Sequence, residues 1–145
     1  MSFSEKLMDK YPHLFYQDEE GKSYCPCGIW VPEGWEPIID MLCGSITHRM
    51  YHVRKYDAKG ERVPTPDVKI EQIKEKFGGL RFYYSGGDDE ISGMVSFAEF
   101  MSEHTCEVSG DTGSLCSRNG WLKTLSPAVC ATPEYKDYKP KQANG

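Results

Sequence analysis

Apolar residues recur along this chain at two different periods, and the places where the period changes divide it into elements. Phe3, Leu7 and Met8 fall on one side of a short opening helix, which Ser2 or Ser4 can cap, which runs to about Lys10 and which Pro12 ends. Trp35, Ile38, Ile39, Leu42, Ile46, Met50 and Val53 then return at steps of three and four, predicting a longer helix to about Tyr56 with Pro37 in its first turn. The period next shortens to two. Val68, Ile70 and Ile73, then Leu80, Phe82 and Tyr84, read as the inward faces of two strands joined at Gly78-Gly79, a pair able to take positive φ. Between Ile70 and Ile73 the alternation breaks, which predicts a bulge or a frayed first strand. Helical spacing resumes with Ile91, Met94, Val95, Ala98 and Met101, behind Asp88 or Asp89 as a cap and up to about His104.

The intervals between these elements are turn-forming. Residues 17–34 hold Asp18, Glu19, Glu20, Gly21, Gly28, Pro32 and Gly34, and residues 57–67 hold Gly60, Pro64 and Pro66, so both segments read as loops. From Thr105 the segments TCEV, LCSRNG and WLKTL are brief and separated by Gly, Asp and Asn, which suits a small β-meander anchored by Trp121. The order is helix, helix, hairpin, helix, short strands. It lacks the βα alternation of a parallel sheet, so the fold class is α+β: a small single domain with three helices, a central β-hairpin and a short C-terminal β-meander. That domain is expected over residues 1–131, followed by a flexible polar tail over 132–145.

Composition narrows the functional classes. At 145 residues the chain is too short for a two-domain enzyme with a separate cofactor domain, and its 39% hydrophobic and 12% aromatic share suffices for a core. No stretch approaches the ~18 consecutive apolar residues of a membrane span, and MSFSEKLMDK lacks the apolar centre of a signal peptide, so a cytoplasmic protein without membrane contact is expected. Seventeen basic against 22 acidic residues leave a net charge of −5, which disfavours capture of nucleic acid by bulk charge but allows a local basic patch.

Two such patches can be drawn. The end of the second helix carries His48, Arg49, His52, Arg54 and Lys55, and the outward face of the hairpin carries Lys74, Lys76, Arg81 and the aromatic Tyr83. Each reads either as a solvated face or as a site for a phosphate or an acidic partner, and the hairpin face could also stack a base. The candidate partner-binding residues are therefore Lys74, Lys76, Arg81, Tyr83, Arg49 and His52.

Reactive chemistry is thinly supported. The chain has no G-x-S-x-G turn, Walker loop, H-E-x-x-H or G-x-G-x-x-G. Cys106 could pair with His48, His52 or His104 as a thiol nucleophile, but six cysteines and four histidines offer such pairs by composition alone. A composite zinc site can be drawn from Cys25, Cys27, His48, His52, His104 and Cys106, although no C-x-x-C spacing occurs. Cys43 and Cys116 read as small buried hydrophobes and Cys130 as an incidental thiol. No catalytic residue, metal ligand or cofactor is assigned.

Gly34-Trp35 followed by Ile38-Ile39 and Leu42-Cys43, then IKEKFGGLRFY, an acidic helix start, TCE, and GW-x-x-TL form an ordered set spanning about Cys27 to Cys130. In this set the chain resembles a group of small uncharacterised proteins carried by phages, prophages and bacterial genomes. In that group TCE opens a C-x-x-C-G knuckle completed by a TLC and a following histidine, which look like four zinc ligands. The matching positions here are Cys106, Ser109, Ser126 and Val129, so the resemblance implies a knuckle that has lost its ion and is held by packing alone. Cys25, Cys27, Cys116 and Cys130 leave a rearranged site open. A compact acidic domain with no catalytic signature that resembles phage proteins reads as a non-enzymatic, phage-encoded protein that binds a host protein and modulates or inhibits it, as anti-defence and host-takeover factors do. The other reading is a nucleic-acid or nucleotide-binding accessory protein using the basic hairpin face.

Overall fold

The computed structural model describes residues 1–141. Its first helix, α1 (Phe3–Lys10), begins with a reciprocal cap: Glu5 N–H donates to Ser2 Oγ at 3.2 Å and Ser2 N–H to the Glu5 carboxylate at 3.3 Å. A single 3₁₀ turn (Pro12–Leu14) then leads into three two-residue strands, β1 (Tyr16–Gln17), β2 (Ser23–Tyr24) and β3 (Ile29–Trp30). The region expected to be loop thus supplies strands, because its turns fold β1 back on β2 and bring β3 to a distant partner.

The second helix, α2 (Glu36–Tyr51), carries Pro37 in its first turn and is shorter than its apolar spacing suggested. Beyond Met50 no fully buried apolar residue remains on it: Tyr51 and His52 face solvent and Val53 is half-buried. With no face left to bury, the chain leaves the helix at His52.

Strands β4 (Val68–Lys76) and β5 (Gly79–Gly86) form the hairpin, antiparallel, with Lys76 opposite Gly79. The turn lies one residue earlier than Gly78-Gly79: its two central residues are Phe77 (φ 55°) and Gly78 (φ 80°). A register shift between Ile70 and Gln72 makes Glu71 the bulged residue. That extra residue keeps Val68, Ile70 and Ile73 all buried, although their spacing breaks strict alternation. Strand β3 joins the other edge of β4 in parallel, giving the order β3-β4-β5.

The third helix, α3 (Asp89–Ser102), starts from Asp88, whose Oδ1 accepts the Ile91 N–H at 3.0 Å. It packs on β5 and protects that edge strand: Ser102 Oγ and a Glu99 carboxylate oxygen accept the outward Leu80 and Phe82 N–H groups, both at 2.9 Å. The main core is one cluster of α1, α2, α3 and the inner face of the sheet, with Trp35, Ile39, Ile46, Ile70, Ile73, Leu80 and Ile91 fully buried.

The C-terminal unit comprises β6 (Ser114–Arg118), β7 (Trp121–Leu125), α4 (Pro127–Cys130) and β8 (Lys139–Pro140), with sheet order β7-β6-β8. The fourth helix, a single turn, was not expected; Ser126 caps it and Pro127 opens it. TCEV forms a turn instead of a strand, with an isolated bridge between Thr105 and Thr112. Trp121 is not the anchor: it is 73% exposed, since it follows the Asn119-Gly120 turn at the outer end of its hairpin. Cys106, Cys116, Leu125, Val129 and Tyr138 form this small core. The expected free tail is also corrected for residues 132–141, because Tyr138 is buried there and β8 pairs with β6. Residues 142–145 of that tail lie outside the described residues.

Gly34-Trp35 joins the two units. Gly34 N–H donates to Glu107 O at 2.7 Å and Trp35 Nε1–H to Thr105 O at 2.9 Å. A Cβ on Gly34 would lie 2.1 Å from Cys106 O, so only glycine permits this backbone approach. Among the described residues no helix is long and apolar enough to cross a membrane.

Candidate partner-binding face

The bulge at Glu71 decides what the sheet shows to solvent. Simple alternation from Ile70 would turn Gln72 inward and Ile73 outward; the extra residue reverses this, so Gln72, Lys74 and Lys76 share the outer face with Arg81 and Tyr83. The bulge also docks β3. Cys27 N–H donates to the Glu71 carbonyl at 2.9 Å, Cys25 Sγ lies 3.3 Å from the same oxygen, and Ile73 N–H donates to Gly28 O at 3.1 Å. The Glu71 carboxylate is held by the Tyr16 hydroxyl.

Docking β3 in this register places Trp30 opposite Lys74, and Lys74 opposite Arg81 on the far strand. Directly opposed residues share a face, so Trp30, Lys74 and Arg81 form one row across three strands, with the Gln72–Tyr83 pair beside it. Trp30 is 73% exposed and Tyr83 is also exposed. The indole lies over Gly28, where a Cβ would come within 2.4 Å of Trp30 Nε1, and Gly28 has φ +87°. None of the ion pairs among the described residues uses Lys74, Lys76 or Arg81, so their charge is available to a partner. Lys76 Nζ lies 5.4 Å from the ring centre of Phe77 at the hairpin tip.

Arg49 and His52 do not belong to this face. Helix α2 packs in the core on the opposite side of the sheet. Arg49, expected on a solvated cationic face, is 3% exposed, because its guanidinium is drawn in by the first turn of α3: Nη2 reaches Asp88 Oδ2 at 2.5 Å and Nε lies 3.1 Å from Glu90 Oε2. Lys55 also pairs with Glu90. This cluster neutralises itself and ties α2 to α3. Burial alone would raise the Asp88 pKa, but the Ile91 N–H and Arg49 outweigh it and hold the carboxyl below its usual range. His52 is exposed and its ring stacks against His48, 5.5 Å between centres.

The proposed nucleophile pairs are not assembled. Cys106 is fully buried and its sulfur accepts the Ser109 N–H at 3.4 Å; among the described residues no histidine hydrogen-bonds to it. Burial would raise this thiol's pKa, but donors from Ser109, Ser126 and Val108 lower it further than burial raises it. His104 stacks on Phe100 instead, 4.8 Å between ring centres. Among the described residues no group of three or more His, Cys, Asp or Glu side chains is placed to hold a metal, so the composite site of Cys25, Cys27, His48, His52, His104 and Cys106 does not form.

The four knuckle positions do meet. Ser109 Oγ lies 3.5 Å from Ser126 Oγ, Ser126 Oγ accepts the Val129 N–H at 3.3 Å, and Cys106 Sγ completes the group through Ser109. Hydrogen bonds from turn amides and hydroxyls hold these segments together in addition to packing. Glu107 beside them is buried, accepting the Thr124 N–H at 2.7 Å with Lys123 Nζ 3.6 Å away; burial raises its pKa more than these partners lower it.

Sequence reasoning offers Trp30, like Tyr83, as an exposed aromatic anchor for an interface, but not as a member of the basic face, because only the pairing of β3 with β4 places it there. It missed Phe77, 68% exposed at the hairpin tip. No protein-family model, curated protein or solved structure matches the chain.

Proposed function

We propose that this chain is a non-enzymatic binding protein that grips an acidic surface of a partner protein with the outer face of the β3-β4-β5 sheet. The observation that carries this reading is the row Trp30–Lys74–Arg81 with Tyr83 beside it. Tryptophan, tyrosine and arginine are the residue types that dominate binding energy at protein interfaces, and here Trp30 and Tyr83 are exposed beside Lys74 and Arg81, which are half-buried and in no ion pair among the described residues. A rigid sheet presents them, so little ordering entropy opposes binding. Following the resemblance to phage and prophage proteins, the partner is a host protein in the cytoplasm, whose action this chain modulates or blocks. No catalytic step is part of the proposal.

The test is capture of host proteins by the tagged chain, run beside Trp30→Ala and Arg81→Glu. A specific partner retained by the wild type and lost by both variants, each still folded by circular dichroism, supports the reading. A partner held equally by all three proteins refutes it.

One observation favours a second reading, a single-stranded nucleic acid on the same face: unpaired cations lie between two exposed aromatics, the arrangement that tracks phosphates while bases stack. Three phosphate contacts would give a log–log salt slope of about −2 to −3, whereas a largely apolar protein interface changes less with salt. Absence of binding to any single strand at low salt removes this reading.

A further inference from the structure

We propose that Cys116 and Cys130 are a modification site: hydroperoxides convert this thiol pair to an intramolecular disulfide that staples β6 to α4. Cys116 Sγ lies 3.7 Å from Cys130 Sγ, nearly in contact, and no other cysteine pair among the described residues makes such a contact. The Cys130 reading as an incidental thiol ignores this, because fourteen positions separate the two in sequence.

The surroundings divide the roles. Cys116 is buried on β6, its thiol donating to Ser114 O at 3.3 Å, and burial with the neighbouring Cys130 pushes its pKa up to about 11. Cys130 ends the one-turn α4 and is half-buried, so solutes reach it first. The Cys130 thiolate attacks the O–O bond of the hydroperoxide, takes one oxygen as a sulfenic acid and releases the alcohol, or water when the oxidant is hydrogen peroxide. The Cys116 sulfur then attacks the Cys130 sulfur; the S–S bond forms, and the sulfenic hydroxyl leaves with the Cys116 proton as water. The two thiols lose two protons and two electrons, and the peroxide accepts both pairs.

A second observation gives the link its use. The C-terminal unit buries only Cys106, Cys116, Leu125, Val129 and Tyr138 in its own core, and its knuckle positions carry two hydroxyls and a valine where a metal would need thiolates and an imidazole. Units this small ordinarily need a covalent or metal staple in addition to packing. The thiol pair lies in that same core.

The test uses the full chain, reduced and then treated with excess hydrogen peroxide. Free thiols counted after denaturation should fall from six to four, with a mass loss of two hydrogens. A cross-linked peptide joining Cys116 to Cys130 should appear and be reversed by dithiothreitol. The melting temperature should rise by roughly 9–12 °C, as closing a loop of about 15 residues implies. Cys130→Ser, a change at a half-exposed position, should abolish both the mass loss and the shift. A link mapped to other cysteines, oxygen additions at Cys130 with no cross-link, or a Cys116–Cys130 link that leaves the melting temperature unchanged would each overturn the proposal.

Discussion

Asp88 holds two elements at once, and changing it tests the account of the α2–α3 junction. Its Oδ1 caps α3 through Ile91 N–H at 3.0 Å, while Oδ2 receives Arg49 Nη2 at 2.5 Å. Losing an N-cap side chain costs about 1 kcal/mol. Stranding a buried charge costs about 3–5 kcal/mol when no partner remains, but Glu90 stays within 3.1 Å of Arg49 Nε and Asp88 is itself 30% exposed. About half that cost is therefore expected, placing Asp88→Ala roughly 2–4 kcal/mol below wild type, and Asp88→Asn, which retains a capping oxygen, roughly 1–3 kcal/mol below. At about 3–4 °C per kcal/mol for a chain of this size, the alanine variant should melt roughly 6–16 °C lower. The pH dependence separates charge from cap. Because the folded pKa of Asp88 is depressed, its charged contribution is complete above the ordinary value of 3.8 and is lost as pH falls through the folded value. Urea unfolding of wild type and Asp88→Asn should thus show a gap at pH 7 that closes toward pH 2. A gap of equal size at both pH values, or an asparagine variant as stable as wild type at pH 7, would refute the reasoning.

Three further outcomes are expected. Phe77 sits at φ 55° in a turn position that suits Asn or Gly and leaves its ring exposed, so Phe77→Asn should raise stability by about 0.5–1 kcal/mol in urea unfolding. A loss of stability would mean the ring packs in solution. Glu107 titrates in the other sense from Asp88: its raised folded pKa means the native state holds more protons than the unfolded chain above the ordinary 4.5, so its share of stability declines as pH rises through that interval. Glu107→Gln should flatten the stability profile above pH 4.5, and an unchanged slope between the two proteins would sink the assignment. Since Cys106, Ser109, Ser126 and Val129 converge, the combined change Ser109→Cys, Ser126→Cys and Val129→His should bind one zinc ion, read by elemental analysis and by a melting temperature that chelator lowers.

What the chain encodes locally was legible residue by residue. The pairs Ser2 or Ser4 and Asp88 or Asp89 marked the helix starts, of which Ser2 and Asp88 are the caps, because a short side chain with an oxygen satisfies N–H groups two or three residues ahead. Alternation along β5 separates Leu80 and Phe82 from Arg81 and Tyr83, and the break between Ile70 and Ile73 marked the bulge. All these signals act over four residues or fewer, where steric and hydrogen-bond preferences belong to the sequence itself. What only the tertiary structure decided involves partners far apart in the chain. Arg49 read as solvated from its own helix, yet Asp88, 39 positions on, draws it inside. Trp30 lay in a turn-rich stretch, and the Glu71 carbonyl at the bulge, with Ile73 N–H, brings β3 alongside Lys74. Tyr138 read as tail until β8 found β6, and Trp121 read as core until the small unit filled itself with other side chains. Burial and partner choice depend on which distant surfaces meet, and no short-range period contains that information.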